Sequence, residues 1–185
     1  MDNLTQPNRP DLIATVEVTE DLELGLVPAW SYSALKTFES CAYRTYISKV
    51  KRVREDYGPA AERGTRIHDE AERYVRSEMS ELPESLKKFS QKFSELKQLF
   101  ADGKVQTEGE WGFTTSWEPT GWISPDTWAR VKLDALVCET DTSARVIDYK
   151  TGKQFGNEIA HSQQALIYAI GTFFMFPDLE IVNTE

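Results

Sequence analysis

Val131-Lys132-Leu133-Asp134-Ala135-Leu136-Val137-Cys138 and Ala144-Arg145-Val146-Ile147-Asp148-Tyr149-Lys150 flank the turn-prone Glu139-Thr140-Asp141-Thr142-Ser143. Two β-branched, apolar runs joined by so short a loop form an antiparallel hairpin. If pairing closes symmetrically about Asp141, Asp134 lies across from Asp148 and Lys132 across from Lys150. Side chains alternate along a strand, so Lys132, Asp134, Leu136, Val146, Asp148 and Lys150 then share one face. Val131, Leu133, Ala135, Val137, Ile147 and Tyr149 take the other, which is apolar enough to seal against a core.

Opposed side chains in such a pair stand roughly 4.5–5.5 Å apart at Cβ, and two carboxylates held that close repel unless a proton or a cation sits between them. Oxygen-rich ligation of this kind suits Mg²⁺ or Mn²⁺. The competing reading is a surface charge quartet, with Lys132 and Lys150 neutralising Asp134 and Asp148. A hydrolytic metal site needs more than two acids, because something must orient water and offset charge on the attacked group. Lys150, two residues after Asp148, projects on the side that would serve.

Asp134 followed by Asp148-Tyr149-Lys150 matches the Asp…(Asp/Glu)-x-Lys signature of the PD-(D/E)xK nucleases. The wording Asp148-Tyr149-Lys150-Thr151-Gly152 resembles their RecB-like branch, which includes the RecB and AddB nuclease domains and the CRISPR-associated adaptation exonucleases. Three further marks of that branch stand in order. Ser31-Tyr32-Ser33-Ala34-Leu35, with Phe38, Cys41 and Tyr46, is similar to its opening helix. Gly64-Thr65-Arg66-Ile67-His68 resembles its G-x-x-x-H element, whose histidine contributes to the metal site. Gln164-Ala165-Leu166-Ile167-Tyr168 resembles its Q-x-x-x-Y element, on the helix after the D-x-K strand. The usual proline before the second acid is replaced by Ile147.

The resemblance implies that Asp134 and Asp148 bind Mg²⁺ or Mn²⁺ with His68 and the Tyr149 carbonyl, that Lys150 positions water, and that Gln164 and Tyr168 touch substrate phosphate or brace the lysine. Glu110, on the strand before the hairpin, stands near an acid that joins the metal shell in some relatives. Each residue also has a plainer account. His68 shares a helical row with Gly64, Ala71 and Val75, which suits an inward-facing histidine with an ordinary partner. Gln164 and Tyr168, four apart, can simply hydrogen-bond each other, and Glu110 can be an exposed strand carboxylate. Some relatives hold an iron–sulfur cluster on four cysteines; here Cys41 fits the first place but no cysteine follows Tyr168, and four thiolates are needed. No cluster is expected.

A formal net charge of −9 over 185 residues opposes diffuse attraction to a polyanion, since nucleic-acid affinity comes largely from cations displacing counterions. The charge is unevenly spread. Residues 1–29 hold six acids (Asp2, Asp11, Glu17, Glu20, Asp21, Glu23) against Arg9 and read as a tail or partner-binding arm. Arg44, Lys49, Lys51, Arg52 and Arg54 form a run without an acid, and Arg63 and Arg66 extend it toward His68. Such a strip suits a groove tracking a DNA backbone, and equally a solvated helix end. No stretch approaches the roughly 20 apolar residues of a membrane span. The N-terminus lacks a secretory signal, and two cysteines without disulfide spacing suit a reducing compartment. A cytoplasmic location is expected, with no membrane contact.

Around the hairpin the chain divides into elements. Leu35, Phe38, Ala42 and Tyr46 give a helical stripe starting at Ser31 or Ser33. A second helix is expected over about 60–77. A third, after Pro83, carries Leu86, Phe89, Phe93, Leu96 and Phe100 on a core face. Val105 to Trp117 reads as a strand, Ile159, Leu166, Ile170 and Phe173 mark a helix ending before Pro177, and Glu180-Ile181-Val182 begins a last strand, past which relatives usually continue. The order predicts an α/β fold over 30–185 with a central mixed sheet flanked by helices; the resemblance makes that a restriction-endonuclease-like core. The implied activity is metal-dependent hydrolysis of DNA, as an exonuclease of recombination, repair or degradation. The alternative is a lapsed nuclease-like domain serving as a DNA- or protein-binding subunit.

Overall fold

The computed structural model describes residues 27–53, 58–150, 156 and 158–185. Most of the acidic arm lies outside these residues, as do Arg54 and Thr151-Gly152. Five strands form one sheet: β1 (Val105–Phe113), β2 (Pro119–Thr120), β3 (Ala129–Cys138), β4 (Ser143–Ile147) and β5 (Ile181–Thr184), in the order β2-β1-β3-β4-β5. All neighbours are antiparallel except β4 and β5, which are parallel. A parallel pair needs a crossover, and α5 (Glu158–Met175) supplies it. The sheet is mixed and flanked by helices, as the element order predicts.

Before the sheet come α1 (Tyr32–Ser40), α2 (Ala42–Thr45), a π-helical turn (Tyr46–Val50), α3 (Pro59–Val75), a 3-10 turn (Glu84–Phe89) and α4 (Ser90–Ala101). Ser31 caps α1, its hydroxyl accepting the Ala34 amide at 3.3 Å. Pro59 occupies the first turn of α3, where its missing N–H costs nothing. Gly103, at φ 74, ends the α4 segment in the left-handed conformation that glycine tolerates.

Two apolar clusters line opposite sides of the sheet. Ile67, Ala71 and Val75 of α3 and Phe93 and Leu96 of α4 pack with Val105, Ala135, Val137, Ile147 and Tyr149. Tyr168 of α5 packs with Trp111, Phe113, Val131, Leu133, Leu136 and Val146. Gly171 lets α5 approach closely: a Cβ there would sit 3.2 Å from Val131 Cγ2 and 3.5 Å from Phe113 Cε2.

The hairpin register is the one the symmetric loop predicts, with Ala135 opposite Ile147, Leu136 opposite Val146 and Cys138 opposite Ala144. The expected faces are corrected. Val131 and Leu133 join the α5 cluster, while Ala135 and Val137 join the α3 and α4 cluster. The change of side falls at Asp134 and at Glu108 of β1. Thr107 pairs with Ala135 and Gly109 with Leu133, but the pair between them is skipped, and Glu108 has φ 51. A single residue in the left-handed region reorients the peptide planes on either side of it and adds local twist, so the strands exchange faces there.

Other expectations shift for local reasons. The α1 stripe is broken, because Cys41 is extended at φ −161 and the chain restarts in a new phase; Leu35 and Phe38 are exposed, while Ala34 and Thr45 are buried. Phe89 is half exposed although Leu86, Phe93 and Leu96 are buried, because the 3-10 turn ends at Phe89 and its three-residue period does not continue that of α4. β1 stops at Phe113 rather than Trp117, where Trp117 N–H bonds Thr114 O and Trp117 takes φ 64. β4 stops at Ile147, so Tyr149 and Lys150 lie beyond the strand. The outward face of α5 carries Ile159, Leu166, Ile170 and Phe173, all exposed.

Candidate active site

The site forms where β3 and β4 part. One oxygen of the Asp134 carboxylate accepts the Tyr149 amide at 2.6 Å, replacing the backbone pairing that the hairpin would continue at that level. Beyond it the Asp148 amide is held by the Glu185 carbonyl at 3.0 Å, which ties the start of the D-x-K segment to the end of β5. The other Asp134 oxygen lies 2.8 Å from His68 Nδ1. α3 delivers that imidazole because Ile67, Ala71 and Val75 fix its buried face on the sheet. The hydrogen bond to Asp134 holds the His68 pKa above its ordinary value against the opposing effect of burial, and the charges of Asp134 and Asp148 add to it.

Asp148 forms an ion pair with Lys150. Lys150 Nζ also donates to Gln164 Oε1 at 2.7 Å, and Gln164 Nε2 donates to the Tyr168 hydroxyl at 2.5 Å. A continuous chain therefore runs from Asp148 through Lys150 and Gln164 to Tyr168. Gln164 and Tyr168 touch each other, and the glutamine braces the lysine as well. Burial pushes the Tyr168 phenol up, with Asp148 adding to the effect, so Tyr168 remains neutral at any working pH.

The sequence therefore names residues that do come together: His68 with Asp134, and Asp148 with Lys150, Gln164 and Tyr168. Tyr149 packs its ring beside His68, with centroids 5.8 Å apart, and beside Phe93 at 5.3 Å. The charge-quartet reading fails for Lys132, which pairs with Glu108 and Glu110 across β1. Glu110 lies as an exposed strand carboxylate opposite Lys132, its cross-strand neighbour, and pairs with it. Arg44, Lys51, Arg52, Arg63 and Arg66 are all exposed. Arg66 approaches Glu70 at 3.9 Å, and Arg63 and Arg66 line a shallow recess with Ile67, Glu70, Glu84 and Ser85.

Glu108 and Glu72 are the residues that sequence reading passed over. Glu72 stands one turn after His68 on α3 and pairs with Arg76 at 2.8 Å, while Arg76 Nε donates to Thr107 at 2.7 Å. The charges of Glu108 and Glu72 both reach Tyr149, whose phenol is pushed up by burial first. The available signal was Gly109 inside a strand pattern, which marks a bulge or bend.

Among the described residues no three His, Cys, Asp or Glu side chains converge closely enough to hold an ion. Each acid instead has its own nitrogen partner, the His68 imidazole for Asp134 and the Lys150 amine for Asp148. The two carboxylates are nonetheless donors that suit Mg²⁺ or Mn²⁺, and the imidazole is one that transition metals favour.

A family model described as the PD-(D/E)XK nuclease superfamily matches residues 29–172. The chain belongs to the PD-(D/E)XK nuclease superfamily. Members of this superfamily are typically metal-dependent nucleases, commonly with Mg²⁺. No curated protein and no solved structure matched the chain. Among the described residues no helix is long and apolar enough to cross a membrane.

Proposed function

We propose that this chain is a RecB-like nuclease that hydrolyses DNA phosphodiester bonds with Mg²⁺ or Mn²⁺, acting as an exonuclease in recombination, repair or DNA degradation in the cytoplasm. The observation that carries the reading is the linked pair of contacts at the hairpin's open end, His68 to Asp134 and Asp148 to Lys150 to Gln164. His68, Asp134 and Asp148, with the Tyr149 carbonyl, would hold the ion, which supplies polarisation of a phosphoryl oxygen and of a bound water. Lys150 carries a positive charge to the attacked phosphate and orients the water. Gln164 keeps the ammonium in place through its carbonyl oxygen, and Tyr168 fixes the glutamine rotamer through its hydroxyl. The acidic N-terminal arm is the proposed contact for a protein partner.

End-labelled linear and circular DNA, single- and double-stranded, incubated with Mg²⁺, Mn²⁺ or chelator, tests the reading. Mononucleotides released from linear substrates only are the expected products. Lys150→Ala and Asp148→Ala are each expected to lower the rate by at least about a hundredfold while circular dichroism stays unchanged. Full activity in both variants would remove the mechanism.

A further inference from the structure

The segment between α1 and α3 is built unlike the rest of the molecule. Residues 41–53 hold Arg44, Lys49, Lys51 and Arg52 and no acid, in a chain whose formal charge is −9. The same segment exposes aromatic surface: Tyr43 is 71% exposed, and its ring lies 6.4 Å from that of Tyr46 at an interplanar angle of 32°. Lys51 Nζ sits 5.5 Å from the centre of the Tyr46 ring. That contact depends on the backbone, because the π-helical turn bonds Lys51 N–H to Tyr46 O at 3.0 Å. Such turns are rare and recur at functional sites. Arg52 follows at φ 56, a conformation that a non-glycine residue adopts only when its surroundings impose it.

Among the described residues Tyr43 stays open to solvent, so its ring contributes little to the core. An aromatic face next to an aromatic that carries Lys51, in a segment that also exposes Lys49 and Arg52, has the two components of a single-strand platform. Bases stack on the ring and phosphates meet the cations. A duplex keeps its base faces buried and offers such a ring nothing. The helix that leads into the segment, α1, is tied to the active-site helix. The Tyr32 hydroxyl at the start of α1 donates to the Ala160 carbonyl at 2.7 Å and to Gln163 Oε1 at 3.3 Å, and Gln164 is the next residue. On its other side the chain leads into α3, which carries His68.

From this arrangement we infer that Tyr43 and Tyr46, with Lys49, Lys51 and Arg52, form a stacking platform for unpaired nucleic acid, so that the substrate reaches this protein as a single strand. The inference deepens the nuclease reading and rests on it for the reaction, but its test does not. Binding of the full chain is read in chelator, by fluorescence anisotropy, with labelled oligo(dT), oligo(rU) and a duplex of equal length. Tighter binding of either single strand than of duplex is expected, the two arms telling DNA from RNA. Tyr43→Ala should weaken single-strand binding by about 5- to 150-fold and leave duplex binding within about twofold, and Tyr43→Trp should restore it. Unchanged single-strand affinity in Tyr43→Ala, or duplex bound as tightly as single strands, would overturn the platform. A protein that cleaves DNA yet ignores Tyr43→Ala loses only the platform, and one that binds single strands through Tyr43 yet never cleaves loses only the nuclease.

Discussion

Asp134 joins three parts of the molecule through one carboxylate, accepting from the Tyr149 amide and contacting His68. Asp134→Asn keeps an oxygen for the amide but removes the charge. The His68 pKa, held up chiefly by that carboxylate, is therefore expected to fall toward its ordinary value in an NMR titration of the variant. An unmoved imidazole would mean that the contact carries little charge interaction. The sign of the pH dependence follows from the same shift. A histidine whose folded pKa is raised stabilises the fold fully below the unfolded value near 6.5, and the contribution fades as pH rises through the folded value. Divalent ions need the neutral imidazole, so Mn²⁺ affinity measured by calorimetry should climb across that same upper window, and a flat profile would remove His68 from the ligand set. Simple strand alternation fails at Asp134, where β3 changes faces, but Asp134, Asp148 and Lys150 were legible in the sequence through the spacing of the motif they form, and His68 through its likeness to the G-x-x-x-H element. Glu108 was not, since its role comes from a backbone angle that its residue type does not announce.

β1 and β3 exchange faces at Glu108, and this explains how one hairpin feeds both cores. Glycine accepts φ 51 without cost, whereas a β-branched residue at positive φ is strained by about 1–3 kcal/mol. The Glu108 ion pair with half-exposed Lys132 is worth under about 1 kcal/mol. Glu108→Gly is thus expected to unfold in urea within about 1 kcal/mol of the parent, and Glu108→Val to lose about 1–3 kcal/mol. The reverse order would show that side-chain charge, not backbone conformation, is what Glu108 contributes to the sheet. Gly112 is a second backbone constraint. A Cβ there would run into the Gly121 carbonyl, so Gly112→Ala should cost about 1–3 kcal/mol, seen as a lower urea midpoint at unchanged slope. Strand and helix types were readable from periodicity, but their ends were set by local events. The extended Cys41, the 3-10 turn before α4 and the Thr114–Trp117 turn each interrupt a pattern that runs on in the sequence.

The charge distribution of the chain decides how it meets a polyanion. With a formal charge of −9, long-range attraction is weak, and contact depends on the exposed cations of residues 41–53. Single-strand affinity should fall with salt at a log–log slope of roughly −0.7 per phosphate neutralised, which for Lys49, Lys51 and Arg52 gives about −2. A slope near zero would place the contact elsewhere. Residues 1–185 alone specified the α/β class and the hairpin register, and motif spacing named the acid, amide and lysine side chains proposed for the site, because turn chemistry and motif spacing are local and survive without knowledge of neighbours. Only the tertiary structure decided which face of α5 meets the sheet. That helix is apolar on both sides, with Ile159, Leu166 and Ile170 outward and Tyr168, Gly171 and Thr172 inward, so periodicity could not choose. The choice came from Gly171, whose missing side chain allows close approach to Val131 and Phe113, and from the change of faces at Asp134, which leaves Val131 and Leu133 on the side of that helix.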